Sequence, residues 1–257
     1  MSVETAAAYV LAGALGAVVG SFLNVCIHRL PKHESVVRPR SRCPGCDRPL
    51  GWVENIPVLS WIVLRARCRG CGARISMMYP AIELLTTATF VAAYAVFGPT
   101  LLLVSRLLLA SALIVLAVTD LRDRLLPNAI TYPGVIAGLL FSLVLPPGLV
   151  DSLLGVLIGA GVPFLIGEAF YRLRGIEGLG MGDVKMLAMI GAFLGWQLAL
   201  FTLFAASLLG VLIGVPLTLV KKDRYYQIPL GTFLALGALV AAFVGREVVE
   251  WYAGLYR

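Results

Sequence analysis

The chain has 257 residues, of which 60% are apolar or aromatic and 14% are charged, and its mean hydropathy is +0.91. Soluble domains carry roughly 25% charged residues, so the composition excludes soluble enzymes, disordered binding segments and secreted disulfide scaffolds. The formal net charge is +7, and 10 of the 21 Lys and Arg residues lie between Arg29 and Arg74. Because basic loops mark the cytoplasmic side of a membrane, membrane topology explains the charge better than nucleic-acid binding does.

Long uncharged stretches predict an all-α polytopic membrane protein with about eight transmembrane helices, since a bilayer core takes about 20 apolar residues per helix. The predicted spans are 6–27, 77–97, 101–119, 128–145, 149–171, 183–194, 198–220 and 228–249. A break near Gly195 separates the sixth span, which is only about 18 Å long, from the seventh. The basic cluster follows the first span, which predicts that both termini lie outside and that the long loop lies in the cytoplasm.

The polar loop at 29–76 contains two C-x-x-C motifs separated by 21 residues. The four cysteines are Cys43, Cys46, Cys68 and Cys71. Four thiolates suit tetrahedral zinc, and a reducing cytoplasmic loop argues against the alternatives of disulfides or a redox pair. We therefore expect a structural zinc ion that holds together a loop without a core of its own. The fifth cysteine, Cys26, is predicted to be a small buried hydrophobic residue.

Two aspartates lie at the predicted cytoplasmic ends of the third and sixth spans, namely Asp120 and Asp183. Charge at membrane depth is costly and therefore suggests function. Two carboxylates around one water can hydrolyse an amide, although both residues could instead be boundary caps. Gly180 and Gly182 would let a substrate backbone approach Asp183. Lys185 would either reach the lipid headgroups or tune the aspartate pair.

Glu83 and Glu168 also fall inside predicted spans, which keeps two other classes of protein open. An ion-coupled transporter would use all four acids as a path, and a zinc-anchored membrane scaffold would use none of them. Transporters commonly show internal repeats and acids at several depths of the bilayer. Here two acids gather at one face and no repeat is visible, so the pattern favours hydrolysis.

Seven segments together carry a resemblance to a known family. They are GSFLNV at 20–25, the two C-x-x-C motifs, WVENIPVLSW at 52–61, ISMMYPAIE at 75–83, the stretch from Asp120 to Asn128, and GMGDVK at 180–185. In order and topology the chain resembles the bacterial type IV prepilin peptidases, membrane aspartic proteases of the GxGD type. The resemblance implies residues 1–28 as the first membrane helix, 29–76 as a methylation-linked zinc loop and 77–257 as the peptidase core.

The resemblance further implies that Asp120 and Asp183 form the protease dyad and that the four loop cysteines bind zinc. The implied substrates are prepilins and type II secretion pseudopilins, cut after a glycine on the cytoplasmic side of the bacterial inner membrane. Many members then N-methylate the new N-terminus with S-adenosylmethionine. Beyond these substrates and the lipid bilayer, no obligate protein partner is expected.

Two segments depart from the family pattern. Arg65-Ala66-Arg67 stands where the family often has a glycine before the third cysteine, in a region tied to methylation. The segment at 228–233 only loosely matches an IPFGP-like stretch. A basic leader should also be repelled by a basic loop, so we expect its recognition to use a nearby acid or the glycine at the cut. The candidate acids are Glu54, Asp123 and Glu177.

Overall fold

The computed structural model describes residues 3–175, 180–221 and 229–254, and this part of the chain is helical without a β-strand. The helices are α1 (Val3–Arg29), α2 (Leu59–Val63), α3 (Met78–Phe97), α4 (Leu101–Asp123), α5 (Asn128–Ser142), α6 (Leu149–Arg174), α7 (Met181–Leu194), α8 (Trp196–Lys221) and α9 (Leu230–Gly254). Two short 3₁₀ turns lie at Leu30–Lys32 and Val53–Asn55. The predicted all-α membrane fold is confirmed.

Each of the eight predicted spans corresponds to one of the eight long helices among the described residues. Five of these helices are long and apolar enough to cross a bilayer, namely α1, α3, α4, α6 and α8. The predicted break between the sixth and seventh spans is present, because Gly195 has a φ of +83° and ends α7. The start predicted at residue 228 lies outside the described residues, and the number of crossings stays a prediction.

The first compact unit extends to Leu107, and its long helices α1 and α3 pack closely. A Cβ atom added at Gly16 would lie 2.8 Å from the Thr87 Cα atom, and one added at Gly20 would lie 2.8 Å from the Glu83 Cα atom. Small residues four apart thus let the two backbones approach, as in other membrane helix pairs.

The second compact unit begins at Leu108 and is built around α7. Residues 186–194 are all buried, against α5, α6, α8 and α9. A helix that is apolar on every face is covered either by lipid or by neighbouring helices, and here the neighbouring helices cover it. With 14 residues, α7 is about 21 Å long, which is shorter than a bilayer core. Because its residues are buried by the surrounding helices, α7 is the core of this unit.

Glycines bring the helices around α7 to backbone distance. A Cβ atom added at Gly155 of α6 would lie 2.3 Å from the Gly191 carbonyl oxygen of α7, and one added at Gly138 of α5 would lie 2.8 Å from the Ala192 Cβ atom. No side chain can move away to relieve the contact between Gly155 and Gly191, because that contact is made by backbone atoms. Both helix crossings consequently depend on the absence of a side chain.

We predict that Gly155→Ala destabilises the protein, because the new methyl group would overlap the α7 backbone. Overpacking of this kind costs about 1–3 kcal/mol, which lowers the melting temperature in detergent by several degrees. Gly161→Ala in the same helix is the matched control, since nothing lies within 4 Å of its added Cβ atom. Equal melting temperatures for the two variants would contradict this account of the crossing.

Candidate functional site

The four loop cysteines converge in the first unit. Their Sγ atoms all lie within 4.8 Å of one another, and those of Cys43 and Cys71 are 3.8 Å apart. Four sulfurs at about 2.3 Å from a tetrahedral zinc ion lie about 3.8 Å from each other. The cluster therefore has the donor atoms and the spacing to bind a metal ion of this kind.

Each C-x-x-C motif folds into a turn whose backbone N–H groups point at sulfur. In the first motif the Cys43 N–H donates to the Arg48 carbonyl (2.9 Å), and the Gly45 N–H donates to the Cys43 Sγ atom (3.4 Å). The second motif repeats this arrangement, with Cys68 bonded to the Ala73 carbonyl (2.8 Å). The same turn, used twice, presents two thiolates from each side of the cluster.

Backbone N–H groups also favour the ionised sulfur of Cys68. The N–H groups of Cys71 and Gly70 lower the pKa of the Cys68 thiol to about 6. A thiol with this pKa is mostly thiolate at neutral pH. Because the thiolate is the form that binds metal, the second turn is prepared for coordination.

An ion pair ties the first cysteine turn to the 3₁₀ turn that follows it. The Arg48 guanidinium donates to Glu54 Oε1, and the Gly51 N–H donates to Glu54 Oε2 at 2.8 Å. These two groups hold the pKa of Glu54 below its usual range, the Gly51 N–H contributing most. Glu54, proposed above as a leader-recognition residue, is thus occupied by contacts within its own loop.

The turn before Cys68 explains the departure from the family pattern at Ala66. Arg65 and Ala66 have φ values of +50° and +57°, a region where glycine is favoured because it has no Cβ atom. Ala66 is held there by hydrogen bonds from its N–H to the Trp61 carbonyl (2.9 Å) and from the Ile75 N–H to its carbonyl (2.7 Å). The chain therefore keeps a backbone shape that favours glycine while using alanine.

A cleft of about 380 Å³ lies between one face of α1 and the loop that follows it. Its apolar wall includes Val18 and Phe22 of α1. At its rim the Arg40 guanidinium lies 4.9 Å above the centre of the Trp52 ring. Polar side chains also line it, among them Ser21, Ser41 and Asn55. The cleft thus offers an aromatic face, a cation and several hydrogen-bonding groups to a small molecule.

The two other acids predicted inside spans have partners in their own units. Glu83 is buried and accepts hydrogen bonds from the Val58 N–H (2.7 Å) and from Ser21. Glu168 pairs with Arg172 one turn later at 2.7 Å. Each acid is explained by local structure, which leaves an ion path through all four acids without support.

Asp120 and Asp183 come together in the second unit. Asp120 is buried in the last turn of α4, and Asp183 lies in the first turn of α7. Leu126 packs beside both, since it contacts Gly182 next to Asp183 and Gly231 next to Asp120. The two aspartates thus lie near each other, while their sharing of one water and their catalytic roles stay a prediction.

The start of α9 holds the Asp120 carboxylate. The Thr232 N–H donates to Asp120 Oδ2 at 2.8 Å, and the Thr232 hydroxyl lies 3.3 Å from the same oxygen. A Cβ atom added at Gly231 would lie 3.0 Å from Asp120 Cγ. Sequence reasoning missed both residues, because they belong to the segment that matched the family pattern only loosely. The feature of the sequence that could have identified them is a glycine at the start of an apolar helix that follows a basic loop.

The predicted supporting residues around Asp183 have separate roles. Gly180 precedes α7 in an extended conformation, and its carbonyl accepts the Asp183 N–H at 3.1 Å. Gly182 packs tightly against Leu126, because an added Cβ atom would lie 3.1 Å from that side chain. Gly178 and Glu177 lie outside the described residues.

Lys185 turns toward the start of α5. Its Nζ atom donates to Asn128 Oδ1 at 3.1 Å and lies 5.3 Å from the centre of the Tyr132 ring. This contact fixes the α7 start against α5. Among the described residues, the structure records no hydrogen bond or ion pair from Lys185 to either aspartate. Any effect of Lys185 on the aspartates would therefore come from its contacts with α5.

Comparisons with known proteins identify the family to which the chain is similar. The model for the Bacterial Peptidase A24 N-terminal domain matches residues 14–97, and that for the Type IV leader peptidase family matches residues 107–215. No solved structure matches the chain significantly.

Three relatives share the name prepilin leader peptidase/N-methyltransferase. The Myxococcus xanthus protein is 48% identical over 205 residues, which cover 78% of this chain and 60% of that protein. The Aeromonas hydrophila protein is 39% identical over 262 residues, which cover 91% of this chain and 90% of that protein. The Burkholderia pseudomallei (strain 1026b) protein is 38% identical over 261 residues, with 90% and 84% covered.

We predict that Ala66→Gly stabilises the cysteine loop slightly. A left-handed conformation costs an L-residue about 1–2 kcal/mol, whereas the added freedom of glycine in the unfolded chain costs about 0.4–1 kcal/mol. Trypsin should therefore cut the variant's loop more slowly. Ala73→Gly, where φ is not positive, is the control and should be cut faster. Faster cutting of Ala66→Gly would contradict the strain assigned to this turn.

Proposed function

Because the chain belongs to the type IV leader peptidase family, we propose that it is a membrane aspartic endopeptidase that cleaves prepilins and pseudopilins after the leader glycine. We propose further that it N-methylates the N-terminus so created. The observation that carries the peptidase proposal is that Asp120, which is buried, and Asp183, which is half-buried, both lie beside Leu126. The relatives' names, which include both activities, support the proposal.

In the proposed reaction, the two aspartates act on one water and one peptide bond. One carboxylate takes a proton from the water, whose oxygen bonds to the scissile carbonyl carbon. The carbon–nitrogen bond then breaks, and the other carboxyl group gives its proton to the leaving amine. Two carboxyl groups that act on one water favour a state with one proton between them, which is the state that the first step needs.

The residues around the aspartates suit an extended substrate. Gly180 carries no side chain before Asp183, which leaves room for a peptide backbone, whereas the space beside Gly182 is filled by Leu126. Asp123 lies one turn after Asp120 at the end of α4 and is exposed. Of the acids considered for leader binding, we assign the attraction of the basic leader to Asp123, since Glu54 is already paired with Arg48.

The proposed place of action is the bacterial inner membrane, with the cysteine loop and both aspartates on the cytoplasmic side and both termini outside. The basic loop at 29–76 supports this orientation through the positive-inside rule. A leader that stays in the cytoplasm would then meet the aspartates at the membrane boundary.

We predict that Asp120→Asn and Asp183→Asn each abolish leader removal, because an amide can neither accept the water proton nor return one. The purified protein is mixed with a prepilin in detergent, and the products are weighed by mass spectrometry. Asp151→Asn, an exposed aspartate at the start of α6, is the matched control and should cleave normally. Cleavage retained by either dyad variant would reject the assignment.

For the metal cluster we propose zinc, which would be held by Cys43, Cys46, Cys68 and Cys71 in a purely structural role. Four thiolates leave no open coordination position for catalysis. The loop has few buried residues beyond its two innermost cysteines, Cys43 and Cys68. Most of its stability should accordingly come from the bound ion.

Metal analysis tests this assignment. The wild-type protein should contain one zinc per chain, and the double variant Cys43→Ser, Cys68→Ser should contain none, because each motif loses a ligand. Cys26→Ala is the control and should keep its zinc, since Cys26 is buried in α1 outside the cluster. Iron in place of zinc, or zinc kept by the double variant, would overturn the proposal.

For methylation we propose that S-adenosylmethionine binds in the cleft between α1 and the loop. The Trp52 ring would stack on an adenine, Arg40 would bind a carboxylate, and Asn55 would supply amide hydrogen bonds. When bound, the cofactor would supply the methyl group. Ala66 keeps a backbone shape that favours glycine in this same unit, which supports retained methylation.

We predict that Trp52→Ala abolishes methylation but keeps leader removal, because it removes the aromatic face and leaves the aspartates in place. Calorimetry should show at least a tenfold weaker affinity for S-adenosylmethionine, and product masses should lack the added methyl group. Val53→Ala is the control, since Val53 is exposed beside Trp52 and does not line the cleft. Unchanged affinity in Trp52→Ala would exclude this cleft as the site.

A further inference from the structure

We propose that Thr232 is a positioning residue that holds Asp120 in both of its protonation states during the reaction. This inference rests on the proposed peptidase function, and it assigns a role to a residue that neither aspartate motif contains. It starts from three distances around Thr232 at the beginning of α9, one from its backbone N–H and two from its hydroxyl oxygen.

Thr232 presents two different donors to the same carboxylate oxygen. Its backbone N–H is a fixed donor and lies 2.8 Å from Asp120 Oδ2. Its hydroxyl oxygen lies 3.3 Å from Asp120 Oδ2 and 3.1 Å from the Ala117 carbonyl oxygen. A hydroxyl group has one proton to donate and two lone pairs to accept with. It can therefore donate to only one of these two oxygens at a time.

The Thr232 hydroxyl can change its acceptor, which suits a carboxyl group that gains and loses a proton during a reaction. While Asp120 is ionised, the Thr232 hydroxyl donates to Oδ2. When Oδ2 carries a proton, that proton is donated to the Thr232 oxygen, and the hydroxyl turns to the Ala117 carbonyl. No proton leaves the pair in this exchange, and no bond other than hydrogen bonds changes. Oδ2 is thus partnered in both protonation states of Asp120.

The backbone of α9 makes the arrangement rigid. Gly231 approaches Asp120 so closely that a Cβ atom there would lie 3.0 Å from both Cγ and Oδ2. The first N–H groups of a helix lack partners within the helix, so Asp120 also serves as an acceptor for the start of α9. A cap of this kind needs only the Thr232 N–H, so the hydroxyl can be tested separately.

Thr232→Val tests the hydroxyl, since it keeps the backbone N–H and nearly the same volume. Loss of one hydrogen bond to an acid–base group should lower kcat about tenfold, with KM within about twofold of the wild-type value. Thr232→Ala should show the same fall, and Thr232→Ser should restore kcat because it restores the hydroxyl. Leader removal is followed by mass spectrometry, and folding is followed by the melting temperature.

Thr119→Val is the matched control. Thr119 is buried next to Asp120 in α4, and its hydroxyl bonds to the Val115 and Leu116 carbonyls rather than to the carboxylate. Its kcat should equal that of the wild-type protein. A wild-type kcat in Thr232→Val or Thr232→Ala would overturn the inference, as would an equal loss in Thr119→Val or no recovery in Thr232→Ser. Wild-type protein that leaves prepilin uncut would instead overturn the peptidase proposal.

Discussion

The second unit depends on backbone contact between α7 and its neighbours. Gly155 and Gly191 meet with no room for a side chain, and Gly138 meets Ala192 in the same way. Interiors packed at this density transmit displacement rather than absorb it. Because Asp183 lies in the first turn of α7, these glycines fix where its carboxyl group stands. A looser α7 would leave the two aspartates without a defined separation.

Bringing two carboxyl groups together in a buried site costs free energy, and the surrounding structure must offset it. Each group loses hydration, and the two repel each other. Two features stabilise the arrangement: the start of α9 donates hydrogen bonds to Asp120, and apolar contacts of α7 and Leu126 surround the pair. Catalysis needs such groups at a fixed separation. The fold is therefore locally less stable at the place where the proposed reaction occurs.

The cysteine loop differs from the tightly packed second unit, because its sequence is polar and it has no hydrophobic core. Its order comes from short turns, from the ion pair between Arg48 and Glu54, and from the convergence of four sulfurs. A loop built in this way would depend on the zinc ion proposed for its four cysteines. The positive φ at Ala66 shows that even a non-glycine residue is held in a left-handed turn here, because hydrogen bonds on both sides fix the backbone.

The sequence alone determined the helices, the four cysteines and the two aspartates. Apolar runs set helix length, and ligand spacing and residue type set the metal site, so both are local properties that a sequence carries directly. Only the tertiary structure decided that α7 is the buried core of its unit and that Glu83 has a local role. It also decided that Thr232 reaches Asp120 across 112 positions. A contact between residues so distant in sequence depends on how α4 and α9 pack, and neither helix carries that information by itself.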